Sequence, residues 1–144
     1  MANRTIRSII EGQEALICDA TLFVAEAAAQ MRARGSGAIL VVENGRLAGI
    51  FTERDALFRV IAEGRDPRRT RVGAAMTANP TTIAPDQPFE RALELMYEGR
   101  FRRVPVVEHG CPLGIVSTQD AMGEELEYFM FRTISEQQAR DVLA

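Results

Sequence analysis

The chain is poor in the residues that build metal and redox centres. It has one histidine, His109, and two cysteines, Cys18 and Cys111, with no Cys-x-x-Cys pair. A zinc site needs several such ligands close together, so no metal is expected. The thiols read as reduced, and nothing in their spacing supports a disulfide. A Cys111–His109 catalytic pair would lack a third, orienting group. No apolar run approaches the roughly 20 residues of a membrane span. The first residues lack the apolar core of a signal peptide, which makes the cytoplasm the expected location. A basic excess is missing too. Lysine plus arginine number 17 against 20 acidic residues, a formal charge of −3. That balance speaks against general nucleic-acid binding.

In bulk the chain is ordinary: 144 residues, 47% apolar and 26% charged, as soluble globular proteins are. Its internal pattern is not. Gly49-Ile50-Phe51-Thr52-Glu53-Arg54-Asp55 returns 65 positions later as Gly114-Ile115-Val116-Ser117-Thr118-Gln119-Asp120. Upstream, Val41-Val42-Glu43-Asn44-Gly45 returns as Val106-Val107-Glu108-His109-Gly110, and Ala27 and Met31 meet Ala92 and Met96. A fixed period without gaps marks one supersecondary unit used twice. Each copy of about 60 residues is marginal for a core of its own, so the two should pack together.

The local patterns fit that division. Residues 4–11 have helical spacing, and 15–18 read as a short strand. Asp19 or Thr21 is the expected N-cap of an Ala-rich helix over 22–34. The apolar run 38–42 reads as a buried strand, followed by the hairpin signal Asn44-Gly45 and a return strand over 47–51. Thr52 should cap a helix over 53–63, with Asp55 in its first turn. The second copy gives a strand at 81–83, a helix at 88–98, strands at 103–107 and 113–116, and a helix beginning after Ser117. The expected fold is α/β: two β-α-β-β-α repeats related by a pseudo-twofold, with small, mostly antiparallel sheets and an extra C-terminal helix. The repeats are placed at 5–64 and 73–123, the linker at 65–72 and the last helix at 124–144. Met122, Leu126, Phe129, Met130, Thr133 and Ile134 form an apolar stripe there. It serves either to pack on the chain's own domain or to form a dimer.

The repeated strand–helix junction carries the functional signal. The helix start presents free N–H groups and a positive dipole end, which attract phosphate. Thr52 or Ser117 can cap the helix or donate to a phosphate oxygen. Asp55 and Asp120, three residues on, can accept bonds from the vicinal hydroxyls of a ribose. The structural alternative is that Ser/Thr-x-x-Asp is close to a capping box and needs no ligand. Two copies brought into one central cleft favour a nucleotide site. Arg100, Arg102 and Arg103 around Phe101 also need solvent or an anion. The basic run from Arg65 to Arg71 reads as a solvated loop.

Gly-apolar-x-Thr/Ser-x-x-Asp, twice and each time preceded by Val-Val-Glu-x-Gly, resembles a tandem pair of CBS (cystathionine beta-synthase) domains, a Bateman module. The resemblance covers about residues 5–123, and small stand-alone prokaryotic CBS proteins are especially similar. It implies a cleft between the repeats for an adenosine ligand: AMP, ADP, ATP, NAD(H) or S-adenosylmethionine. It implies ribose contacts at Asp55 and Asp120, hydroxyl contacts at Thr52 and Ser117, and phosphate contacts at Arg54, Arg102 and Arg103, with Arg100 as a further candidate. The adenine would lie against Ile17, Cys18, Ala20 and Ile39, or Thr82, Ile83, Pro85, Val104 and Pro105. The copies depart from each other: Gln119 stands opposite Arg54, and Ala38-Ile39-Leu40 opposite Arg103-Val104-Pro105. The two sites should therefore be unequal.

The family also implies a homodimer and a regulated protein partner that the sequence does not name. No paired carboxylates, base or metal cluster lie beyond the motif, so no catalytic residue is assigned. The competing class is a ligand-free dimerisation or interaction module with a vestigial cleft.

Overall fold

The computed structural model describes residues 4–143. Residues 1–3 and 144, which the N-terminal and C-terminal expectations include, lie outside the described residues. The first helix, α1 (Ile6–Ile10), is capped by Thr5, whose side chain accepts from the Ser8 N–H. Strand β1 (Ile17–Cys18) and helix α2 (Val24–Arg34) follow. The cap expected from Asp19 or Thr21 is not made. Phe23 holds the N-cap position without a side-chain bond. Asp19 instead accepts from the backbone and hydroxyl of Thr21, closing a local turn. The orphan N–H groups of Val24 and Ala25 donate to the carbonyls of Thr70 and Pro67. The linker thus caps the helix.

Strands β2 (Ala38–Glu43) and β3 (Arg46–Thr52) form the expected hairpin. Asn44 and Gly45 have φ of 53° and 75°, the left-handed pair a two-residue turn requires. Helix α3 (Glu53–Asp55) continues as π-helical turns over Ala56–Ile61, where an α-helix to residue 63 is predicted. The N–H groups of Ala62 and Arg65 reach back five residues, to Leu57 and Val60. Val60 stays buried while Leu57, Phe58 and Ile61 remain exposed.

After the linker come α4 (Val72–Ala75) and β4 (Thr77–Ala78). Strand β4 adds to the edge of β3, so the first sheet runs β1-β2-β3-β4, with β1 parallel to β2 and the other pairs antiparallel. The strand predicted at 81–83 shrinks to one parallel bridge, Ile83 to Val106. Pro80 and Pro85 flank it, and a proline cannot donate to a ladder. Helix α5 (Phe89–Gly99) leads to the hairpin β5 (Arg103–Glu108) and β6 (Cys111–Ser117). This hairpin repeats the first down to its bulge, which lies between Val106 and Val107 as the first lies between Val41 and Val42. The helix predicted after Ser117 is interrupted. A 3₁₀ turn (Thr118–Asp120) ends at an extended Ala121, Gly123 turns at φ 52°, and only then does α6 (Glu124–Leu143) begin.

Alternation along the strands sorts the side chains into three clusters. Ile39, Val41 and Phe51 face the first core with Val24, Met31 and Val60. Val104, Val106 and Val116 face the second with Phe89, Leu93 and Met96. The opposite face of the first hairpin, Ala38, Leu40 and Ile50, meets Ile115 of the second half. Full burial of Phe51 and of Phe89 stabilises the fold by about 1.5–3 kcal/mol each.

The short helices are exchanged between halves. Helix α1 precedes the first half, yet Ile6 and Ile10 lie in the second core. Helix α4 precedes the second half, yet Val72 and Ala75 lie in the first. Matching backbone bonds hold them: Ile6 and Arg7 donate to Gln87 and Pro85, and Val72 and Gly73 donate to Leu22 and Ala20. Neither core closes without a segment from beside the other repeat. Along α6, Phe129 packs against the second core while Met122, Leu126, Met130 and Ile134 stay exposed. Among the described residues no helix is long and apolar enough to cross a membrane.

Candidate functional site

Both junctions form a full capping box. Asp55 Oδ2 accepts from the backbone N–H of Thr52 at 3.0 Å and from its hydroxyl at 3.1 Å. Asp55 Oδ1 accepts from Thr77 at 3.3 Å and pairs with Arg59 at 3.4 Å. The carboxylate is buried and occupied on both oxygens. Asp120 repeats only half of this. Its Oδ2 accepts from the Ser117 N–H at 2.7 Å and lies 3.5 Å from the Ser117 hydroxyl. Asp120 is half-buried, so it retains acceptor capacity toward a ligand.

A cleft opens beside each junction. The first, about 700 Å³, is walled by the Thr52–Asp55 turn, by Phe58 and Arg59, by Asn79-Pro80-Thr81, and by Arg100 to Arg103. The second, about 320 Å³, is walled by the Ser117–Asp120 turn, by Glu14-Ala15-Leu16, and by Arg34 to Ala38. Most of these wall positions correspond after a shift of 65; Phe58 and Arg59 in the first cleft and Arg34 in the second have no counterpart. Arg103 belongs to both clefts. Its guanidinium bonds Glu53 at 3.1 Å and lies against Gly37, where any Cβ would collide with it.

Of the residues proposed from sequence, Thr52, Arg54, Asp55, Arg102 and Arg103 come together in the first cleft. Ser117, Asp120 and Arg103 meet in the second. The expected apolar wall does not line either cleft. Ile39 and Val104 are wholly buried in the two cores. Cys18, Ile83 and Pro85 are also buried, and Ala20 packs against the first core. Ile17 and Thr82 are exposed, but the clefts are walled by residues up to three positions earlier in each segment. Pro105 is buried and lines neither cleft. For Ile39 and Val104 strand alternation is the reason. Ala38 and Arg103 face the clefts, so Ile39 and Val104 must face the cores. Phe58, Arg59 and Phe101 also line the first cleft, beyond the residues proposed from sequence. Arg59 was legible as the residue one helical turn after Asp55.

Away from the clefts, burial and then the nearby Asp19 charge push the Cys18 thiol up to about 11. Glu136 on α6 is held below the usual carboxylate range, first by the Tyr97 hydroxyl and then by Arg140, Arg100 and Arg132. Among the described residues, no group of three or more His, Cys, Asp or Glu side chains could hold a metal ion.

The fold defines an internally duplicated α/β module with a cleft beside each repeated junction. The CBS domain family model matches residues 7–62 and again 72–127. The chain belongs to the CBS domain family, as a tandem pair. The CBS domain-containing protein CBSX3, mitochondrial, of Arabidopsis thaliana is 37% identical over 112 residues, 74% of this chain and 54% of its own length. The chain spans between 14% and 54% of the length of three such curated relatives. A CBS-domain containing protein of known structure from Agrobacterium tumefaciens superposes with a TM-score of 0.74 at 32% identity, over 81% of this chain and 95% of its own. A CBS domain protein from Pyrobaculum aerophilum, complexed with AMP, shares the fold with a TM-score of 0.76 at 20% identity, over 90% of this chain and 99% of its own.

Proposed function

We propose that this chain is a regulatory sensor of adenosine-containing nucleotides, with AMP, ADP, ATP, NAD(H) and S-adenosylmethionine as the candidate ligands. The observation that carries this reading is the pair of corresponding clefts, each built on a Thr/Ser-x-x-Asp junction at the contact between repeats. Asp120 accepts ribose hydroxyls on its free oxygen. Asp55 does the same by exchanging the Thr77 bond for a ligand bond. Arg54, Arg102 and Arg103 take phosphate. The AMP bound to the Pyrobaculum aerophilum fold relative supports the ligand class. Binding would change the angle between the repeats and so alter the surface offered to a partner protein. No catalytic step is assigned. We infer a cytoplasmic site of action; fractionation separates this from the mitochondrial location in one relative's name.

A thermal-shift titration with the five ligand classes tests the reading. A ligand at a hundredfold excess over its Kd stabilises the folded chain by about 2.7 kcal/mol. The shift should vanish in Asp55→Ala or Asp120→Ala. Absence of any shift would reject the sensor.

A ligand-free dimerisation module is the second reading. Exposed Leu57, Phe58 and Ile61 on the π-helical turns after α3 and exposed Met130, Phe131 and Ile134 on α6 favour it. Sedimentation of Phe131→Glu beside the unchanged chain tests it. A dimer that persists in the variant rejects α6 as its interface.

A further inference from the structure

The two clefts share a geometry but not a charge. The first sets five arginines, Arg54, Arg59, Arg100, Arg102 and Arg103, against Glu53 and Asp55. The second sets Arg34 and the shared Arg103 against Glu14 and Asp120. At the positions related to Arg54, Arg100, Arg102 and Arg103 stand Gln119, Gly35, Gly37 and Ala38. The first cleft is also about twice the size of the second, about 700 Å³ against about 320 Å³.

Internal pairing accounts for only part of the five. Arg59 meets Asp55 at 3.4 Å and Arg103 meets Glu53 at 3.1 Å. Arg54 lies over the Phe58 ring. Arg102 makes no ion pair among the described residues, and Arg100 reaches Glu136 only at 3.8 Å. Gathering this much like charge in a concave site is unfavourable without an anion. The chain contains no lysine; all 17 basic residues are arginine. The planar guanidinium fork matches phosphate oxygens two at a time.

Arg100 carries independent weight. It ends α5 with φ 57°, where the first half ends α2 with Gly35 at φ 63°. A side chain in that conformation is strained, and glycine is the relaxed choice. The second repeat keeps an arginine there. That guanidinium stands where the first cleft meets the groove beneath α6.

We propose that the first cleft is a polyphosphate site, selecting a ligand with a chain of two or more phosphates, and that Arg100 and Arg102 bind the phosphates beyond the first. The second cleft offers no matching charge and takes a ligand without such a chain. This rests on the nucleotide-sensor reading and names the ligand class of one of its two sites. The volume of the first cleft lies within the roughly 300–1,000 Å³ of small-molecule sites.

Calorimetric titration of the full chain with adenosine, AMP, ADP, ATP and inorganic tripolyphosphate provides the test. Affinity should rise at least tenfold from AMP to ATP, and the rise should shrink as salt is added. Arg100→Gly and Arg102→Gln should each reduce the ATP-to-AMP affinity ratio at least fivefold. Glycine is relaxed at position 100, so that variant will fold. AMP and ATP binding within threefold of each other, or ratios unchanged in both variants, would overturn the proposal and leave the adenosine sensor standing. Tripolyphosphate binding without any nucleoside binding would keep the polyphosphate site and reject the adenosine sensor. Silence from all five ligands would reject both.

Discussion

Gly37 and Arg103 occupy one space at the meeting of the two repeats. Nη2 of Arg103 lies where a Cβ on residue 37 would be, and Glu53 Oε1 would lie 2.9 Å from that Cβ. The glycine thus leaves room for the arginine that both clefts share. At the positions related by 65 residues the roles differ: Arg102 stands for Gly37, and Ala38 for Arg103. This pair is one of the differences that make the two clefts unequal.

Gly37→Ala should therefore displace Arg103 and break its bond to Glu53. The displaced atoms are the ends of flexible side chains, and pairs this exposed are worth about 0.2–1 kcal/mol. Stability in a thermal melt should fall by no more than about 1 kcal/mol. Nucleotide binding should weaken far more than the melt moves. A variant that binds normally would remove Arg103 from the site.

The repeated motif glycines have a different job. A Cβ on Gly49 would lie 2.8 Å from the backbone carbonyl of Thr77, and one on Gly114 would lie 3.0 Å from Cβ of Ile10. Each glycine admits the neighbouring exchanged segment to the sheet. Neither contact is with a flexible tip, so Gly49→Ala and Gly114→Ala should each destabilise by about 1–3 kcal/mol. Urea unfolding measures this, and values near zero would show that the segments shift freely.

Asp55→Ala should cost more than Asp120→Ala. Asp55 is buried and caps Thr52 while also holding Thr77 and Arg59. Its loss removes a cap, about 1 kcal/mol, and strands buried donors at about 1–3 kcal/mol more. Asp120 serves only its cap, so about 1 kcal/mol is expected. Equal costs in urea unfolding would contradict the asymmetry of the two junctions.

Arg100→Gly should stabilise the ligand-free chain by about 0.5–1 kcal/mol, because it relieves a left-handed φ of 57°. Its ion pair to Glu136 is long and exposed and offsets little of that gain. A higher melting temperature together with a lost preference for ATP would mark a residue kept for binding. A lower melting temperature would show that the Glu136 contact dominates.

The two thiols should differ sharply toward an alkylating reagent at pH 8. Cys111 is exposed, while Cys18 is buried with a pKa pushed up to about 11. Little thiolate forms on Cys18 below that value, so one thiol per native chain should react fast and the second only on unfolding. Two fast thiols would show that the first core opens readily.

Much of the fold was legible because its signals are local. The hairpins at Asn44-Gly45 and His109-Gly110, the capping boxes at Thr52 and Ser117, and the helices over Val24–Arg34 and Phe89–Gly99 each rest on residues close in sequence. The repeat also places Asp55 and Asp120 at equivalent junctions. The cap of α2 is not local: its acceptors, the carbonyls of Pro67 and Thr70, lie more than 40 positions away. Ile39 and Val104, expected beside the adenine, do not line the clefts, because a one-residue choice on a strand reverses the face and sends them into the cores.

By itself, then, the sequence determined the duplication, the hairpins, the junction motif and the unequal distribution of arginine between the copies. These follow from turn chemistry, capping and alternation, which act over a few residues. Only the tertiary structure decided which core receives α1 and α4, and that Arg59 and Arg100 join Arg54, Arg102 and Arg103 in one cleft. Packing across the pseudo-twofold brings together residues dozens of positions apart, and no local preference encodes which of them will share a wall.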